Sequence, residues 1–129
     1  MEKKVKSIKE LFTLDFLTDI LSTAFYGSPW FVCSANDCND VELVKEAQRE
    51  TTDVESKWAY ILLHGGVIKV EDPEDEKEYK LSLNKIINGF KIVMLNYPEN
   101  YCNIMTENGD FCDADCVIQC AVFGELTYA

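Results

Sequence analysis

Apolar residues recur at helical spacing early in the chain, where Phe16, Leu17, Ile20, Leu21 and Ala24 form one stripe between Thr13 and the breakers Gly27 to Pro29. The pattern predicts a helix over about Leu14 to Phe25, capped by Thr13 and packed on a core. Trp30, Phe31 and Val32 make a short apolar run, read as a strand or extended segment that leads into the polar loop CSANDCND. Asp40 is placed to cap a helix over Val41 to Arg49. A further helix, about Val54 to His64, turns Trp58, Ile61 and Leu62 inward and stops at Gly65 and Gly66.

Beyond that stop the period changes. The β-branched run Val67 to Val70 reads as a strand, Glu71 to Glu78 as a turn around Pro73, and Glu78 to Ser82 as the returning strand of a hairpin. Ser82 is a helix cap for about Leu83 to Asn96, whose Ile86, Ile87, Phe90, Val93 and Met94 share a face, with Gly89 an oddity mid-helix. Pro98 ends that helix, a loop carries Cys102, and a last helix runs from about Cys112 to Phe123. These elements predict an α+β fold of about four or five helices packed on a small antiparallel hairpin or sheet. No repeat or linker divides residues 1–129, so a single compact domain is expected.

Composition narrows the function classes. A chain of 129 residues with 47% hydrophobic content can bury a core without disulfides. Twenty-three acidic residues against 12 basic ones give a formal charge of −11, which opposes binding to nucleic acid or an anionic membrane and favours basic partners. The same surplus can imitate a phosphate backbone and occupy a basic groove. The lysine-led amino terminus looks like a secretion signal, but Glu10, Asp15 and Asp19 break its apolar run. The segment is therefore expected to stay as an amphipathic helix in a cytoplasmic protein of a reducing compartment, its six cysteines thiols or metal ligands.

The cysteines carry the sharpest chemical pattern. Cys112, Cys116 and Cys120 recur every fourth residue, Cys102 lies upstream, and Cys33 and Cys38 form a separate pair. One reading is a structural zinc site joining two distant segments through Cys33, Cys38, Cys112 and Cys116, with His64, Cys102 and Cys120 as alternate ligands. The other is buried apolar thiols, since Cys116 and Cys120 sit among Val117, Ile118, Ala121 and Val122 as core residues do, and no CxxC knuckle is present. His64, the sole histidine, most naturally meets the dipole at a helix C-terminus, and Asp110, Asp113 and Asp115 cap the last helix.

Catalysis finds little support in the residue pattern. A nucleophile needs a positioned base, there is one histidine, and neither a GxSxG nor a phosphate loop occurs, so the expectation is a protein that is not an enzyme. The segment from Glu71 to Glu78 puts Glu71, Asp72, Glu74, Asp75, Glu76 and Glu78 in eight residues. It lacks the order of a calcium loop and reads as a solvated hairpin tip or as a contact for a partner's lysines and arginines.

The segments LDFLTDILSTAFYGSPWF, LLHGGVIKVED, YKLSLNKIINGF and DADCVIQCAVFGELTYA resemble a family of small acidic accessory proteins of phages and integrative elements of Gram-positive bacteria. The likeness spans most of the chain, and the chain is also similar to the small anti-CRISPR inhibitors of type II systems. That resemblance implies a stoichiometric inhibitor whose acidic surface docks on a host CRISPR effector nuclease and blocks loading of target DNA, with no direct contact to nucleic acid. It also implies that Trp30, Phe31, Phe123, Gly124 and Tyr128 define the core and chain end, and that a zinc site would be peculiar to this branch. The alternatives are a small metal- or thiol-dependent enzyme using Cys112 or Cys116 with His64, and an element-encoded interaction module unrelated to CRISPR.

Overall fold

A computed structural model describes residues 8–27, 31–34, 41–72 and 76–126. Its elements run in the order α1 (Ile8–Leu11), α2 (Leu14–Gly27), β1 (Phe31–Ser34), α3 (Val41–Glu50), α4 (Val54–Leu63), β2 (Val67–Asp72), β3 (Lys77–Ser82), α5 (Leu83–Asn96), α6 (Pro98–Met105) and α7 (Phe111–Phe123). The fold is α+β. Local chemistry sets most of the helix starts: Thr13 Oγ1 accepts from Phe16 N–H at 3.2 Å, Asp53 from Ser56 N–H at 2.7 Å and Ser82 from Lys85 N–H at 3.3 Å.

The three strands form one antiparallel sheet in the order β1-β2-β3. The hairpin pairs Val67 with Ser82 through to Asp72 with Lys77, and β1 joins the other edge of β2 with a register shift between Val32 and Ser34. Burial alternates along β2, so Ile68 and Val70 face the helices. Around them one hydrophobic cluster gathers Leu17, Leu21, Ile61, Leu62, Leu81, Ile86, Phe90 and Val117, all fully buried. Phe90 is its aromatic centre, edge-on to Phe12 at 5.5 Å, Phe16 at 5.9 Å and Tyr101 at 5.5 Å.

Gly89 has a steric purpose. A Cβ there would lie 2.5 Å from the backbone nitrogen of Ala121 and 2.7 Å from the carbonyl oxygen of Val117, so only glycine lets α5 cross α7 this closely. Asp110 opens α7 with a reciprocal capping box to Asp113, and Gly124 ends it in the left-handed region at φ 80°.

Three sequence expectations change. The described residues hold seven helical segments rather than four or five. One addition is the single turn α1; the other is α6, expected as loop because Pro98 was read as a stop, whereas its missing N–H costs nothing at the first position of a new helix. The acidic segment is also less of a turn than expected: Glu71 and Asp72 belong to β2, Glu78 to β3, and Asp72 is only 2% exposed. Trp30, Asp40 and Tyr128 lie outside the described residues, as do Glu74 and Asp75. Phe123 packs edge-on against Tyr79 at 5.4 Å, and Gly124 is exposed. No helix among the described residues is long and apolar enough to cross a membrane.

Candidate functional site

The helical spacing of the three C-terminal cysteines holds, but their environments differ. Cys116 and Cys120 are each 2% exposed within the core face of α7, while Cys112 and Cys102 are exposed. The hydrogen bond that Cys116 shares with Cys120, together with burial, pushes the Cys116 thiol well up. Cys112 is pushed up as well, by lost hydration at its sulfur and then by the carboxylates of Asp110, Asp113 and Asp115. Neither sulfur is primed as a thiolate nucleophile.

The backbone of Cys33 sits in β1 where the register shifts, and Cys38 lies outside the described residues. β1 occupies one edge of the sheet, and α7 packs against β3 at the other. Among the described residues no group of three or more histidine, cysteine, aspartate or glutamate side chains is arranged to hold a metal ion. The described donors therefore do not build a closed tetrahedral shell.

Asp113 goes beyond the capping role expected of it. It is 4% exposed and accepts from Asn100 Nδ2 at 2.8 Å, Asn103 Nδ2 at 3.3 Å and the Asp110 N–H at 3.0 Å. Burial disfavours its charge, but these donors outweigh that and hold its carboxyl below the ordinary value. The network clamps α6 onto α7, so Asp113 is a structural carboxylate.

His64 closes α4, as expected, and the structure adds partners that no residue spacing foretold. Its ring stacks on Tyr60, centroids 4.0 Å apart and 19° from parallel, and its Nδ1 lies 2.9 Å from the Tyr60 carbonyl oxygen. That contact requires Nδ1 to carry the hydrogen, so a lone pair on this ring belongs to Nε2, and the side chain is exposed. The Tyr60 hydroxyl in turn donates to Glu46 Oε1 across from α3, and this bond is the main reason its pKa rises to about 12. A helix-terminal histidine is thus fixed in tautomer and plane, with a polar nitrogen free for proton transfer.

Elsewhere the described residues line further recesses. A cleft of about 580 Å³ between α2 and the α6–α7 corner has Phe16, Ile20 and Ile104 in its wall and Asp19, Glu107 and Asp110 at its rim. Glu107 holds a left-handed backbone at φ 62°. The second, of about 450 Å³, lies where α1 meets α5 and is lined by Ile8, Lys9, Asn84, Ile87, Asn88 and Lys91. It escaped the sequence reading, although one signal was there: LNKIINGFKIVMLN of α5 has no acidic residue in a chain rich in them.

The described acidic residues expected to contact a partner differ in exposure, and Glu74 and Asp75 lie outside the described residues. Glu76 is exposed, Glu78 faces Lys69 at 4.0 Å, Glu71 is half-buried and Asp72 is buried.

No family model matches the chain, and no solved structure matches it. It is 28% identical over 87 residues to Endoribonuclease YbeY of Methylobacillus flagellatus, a stretch covering 67% of this chain and 57% of that protein. The chain thus spans little more than half the length of the curated relative it matches. Similarity to a ribonuclease overturns the resemblance to phage and anti-CRISPR proteins and the conclusions that followed from it: a non-enzymatic inhibitor, a CRISPR nuclease as partner, and no direct contact with nucleic acid.

Proposed function

We propose that this chain acts on RNA as an endoribonuclease-related enzyme, with His64 as its proton-transfer group. The observation that carries the reading is the likeness to an endoribonuclease over two thirds of the chain. The geometry of His64 supports it: with Nδ1–H directed to the Tyr60 carbonyl, Nε2 is available to take the proton of an attacking hydroxyl. In the simplest course the RNA 2′-hydroxyl loses its proton to Nε2 and attacks the adjacent phosphorus. The P–O bond to the 5′-oxygen breaks, and that oxygen takes a proton from the imidazolium. The products are a 2′,3′-cyclic phosphate and a 5′-hydroxyl.

A thiol mechanism is less favoured, because lost hydration and then the neighbouring carboxylates push the Cys112 thiol up, and Cys116 is buried. The zinc reading for Cys33, Cys38, Cys112 and Cys116 rests on sequence spacing, and no step is routed through it. The cytoplasm is the proposed compartment.

Cleavage of an end-labelled single-stranded RNA by the purified chain tests the reading, with His64→Gln and a chelator in parallel. Wild-type cleavage that is lost in His64→Gln, insensitive to chelation and blocked by a 2′-deoxy substitution at the cut is the expected result. Equal cleavage by wild type and His64→Gln would sink the assignment, and loss on chelation together with about one zinc per chain by elemental analysis would move the chemistry to a metal.

A further inference from the structure

We propose that the recess between α1 and α5 is a binding site for the phosphate backbone of RNA. The proposal extends the reading of the chain as an RNA-acting protein and concerns a different place on the molecule from His64. Asn84, Asn88 and Lys91 follow one another at helical spacing along α5, and Lys9 reaches the recess from α1, with Ile8 and the buried Ile87 as its apolar floor. Every polar side chain lining it is a hydrogen-bond donor: two ammonium groups and two carboxamides whose NH₂ ends can turn outward. No carboxylate lines it, on a chain of formal charge −11.

The cations are available. Among the described residues neither Lys9 nor Lys91 forms a salt bridge, in contrast to Lys45 with Glu42 and Lys69 with Glu78. Lys85, the other lysine of α5, is turned away, its Nζ donating to the Lys80 carbonyl oxygen at 2.7 Å. The recess also lies by the first turn of α5, which is capped by the neutral Ser82 and carries no acidic residue, so the helix dipole is not offset there by a carboxylate. The two ammonium groups and two amides offer donors to backbone phosphates, and the apolar floor offers a surface for the sugar. Base edges have no obvious counterpart here, so binding is expected to be indifferent to sequence.

The experiment measures anisotropy of a fluorescein-labelled single-stranded RNA of about 20 nucleotides across roughly 50 to 200 mM salt, using the full chain, Lys9→Ala, Lys91→Ala and the double variant. Each substitution is expected to weaken binding about three- to tenfold at low salt and to reduce the slope of log K against log salt by about 0.7. Lys45→Ala, which removes an exposed lysine of α3 away from the recess, is expected to bind as wild type does. Unchanged affinity and slope in the double variant would overturn the site while leaving RNA cleavage at His64 standing. Wild-type protein that neither binds nor cuts RNA would overturn both. An NMR titration with inorganic phosphate separates the ligand sources: full displacement of RNA by millimolar phosphate would make this a small-anion site and refute the backbone assignment. Side-chain amide shifts at Asn84 and Asn88 on adding RNA would support it.

Discussion

Replacing Gly89 by alanine puts a methyl group where α5 and α7 meet, and the size of the effect follows from the contact distances. Alanine gains about 1 kcal/mol over glycine in a helix interior, so a surface site would be stabilised. Here the new Cβ would stand 2.5 Å from Ala121 N, 2.7 Å from Val117 O and 2.8 Å from Ala121 Cα. All three are backbone atoms, which cannot rotate aside, so the helices must separate and lose packing across the core. Overpacking of this kind costs about 1–3 kcal/mol, and rigid neighbours put Gly89 at the upper end, leaving a net loss of about 2 kcal/mol. For a chain of 129 residues that corresponds to a fall in Tm of about 6–10 °C. Thermal unfolding followed by circular dichroism reads it directly. Ala121→Gly should not rescue the variant, because the clash is with the backbone of Ala121 and not its methyl group. An unchanged or raised Tm in Gly89→Ala would refute the close crossing of α5 and α7. Gly124→Ala is the control: with φ at 80° and nothing within 4 Å of a Cβ, it should lose about 1 kcal/mol through backbone strain alone.

Glu107 occupies the left-handed position after α6 at φ 62°, where glycine is unstrained, so Glu107→Gly should stabilise the protein by about 0.5–1 kcal/mol in urea melts. Asp113→Ala removes the shared acceptor of Asn100, Asn103 and the Asp110 N–H, and should cost about 3 kcal/mol by the same measurement. Because the Asp113 carboxyl is held below its ordinary value of 3.8, its contribution is present above that pH and is lost as pH falls, so the gap between wild type and Asp113→Asn should narrow in acid. Tyr60 works in the opposite direction: raised from 10.0 to about 12, it stabilises the fold below pH 10, and that contribution disappears as pH rises through 12. The difference in urea midpoint between wild type and Tyr60→Phe should therefore close across that window.

Elements with a local cause could be read from the chain. Helices α2, α5 and α7 announce themselves through Thr13, Ser82 and Asp110 as caps and through stripes such as Ile86, Ile87, Phe90 and Val93, because capping and periodicity act within a few residues. Helix α6 did not, since Pro98 serves both as a stop for one helix and as a start for the next, and Tyr101 and Ile104 are too few to mark a face. Gly89 was visible only as an oddity, its reason lying 28 to 32 residues away in Val117 and Ala121. The site divides in the same way. His64 at a helix end was legible, as was the acid-free composition of α5, but the Glu46 to Tyr60 bond depends on how α3 packs on α4, and the recess on α1 crossing α5. The cysteine spacing was real while its inferred chemistry was not visible in it, because burial and neighbouring carboxylates decide whether a sulfur is a ligand or a core atom.

A chain of formal charge −11 that is proposed to act on RNA must reconcile attraction at one face with repulsion from the rest, and the two respond oppositely to salt. In the proposed site Lys9 and Lys91 would displace counterions from the phosphates they meet, which would give log K a negative slope of about 0.7 per contact. Long-range repulsion from the remaining carboxylates is screened by the same salt, which raises the rate of encounter. Between roughly 50 and 200 mM salt the association rate should therefore rise while the dissociation rate rises faster, and the net slope should be shallower than two contacts alone would give. Neutralising exposed carboxylates away from the recess, Glu76→Gln with Glu107→Gln, should then speed association at low salt and leave dissociation alone. Stopped-flow anisotropy separates the two rates. An association rate that falls with salt, as it does for basic nucleic-acid binders, would mean that the acidic surface does not govern the approach of RNA.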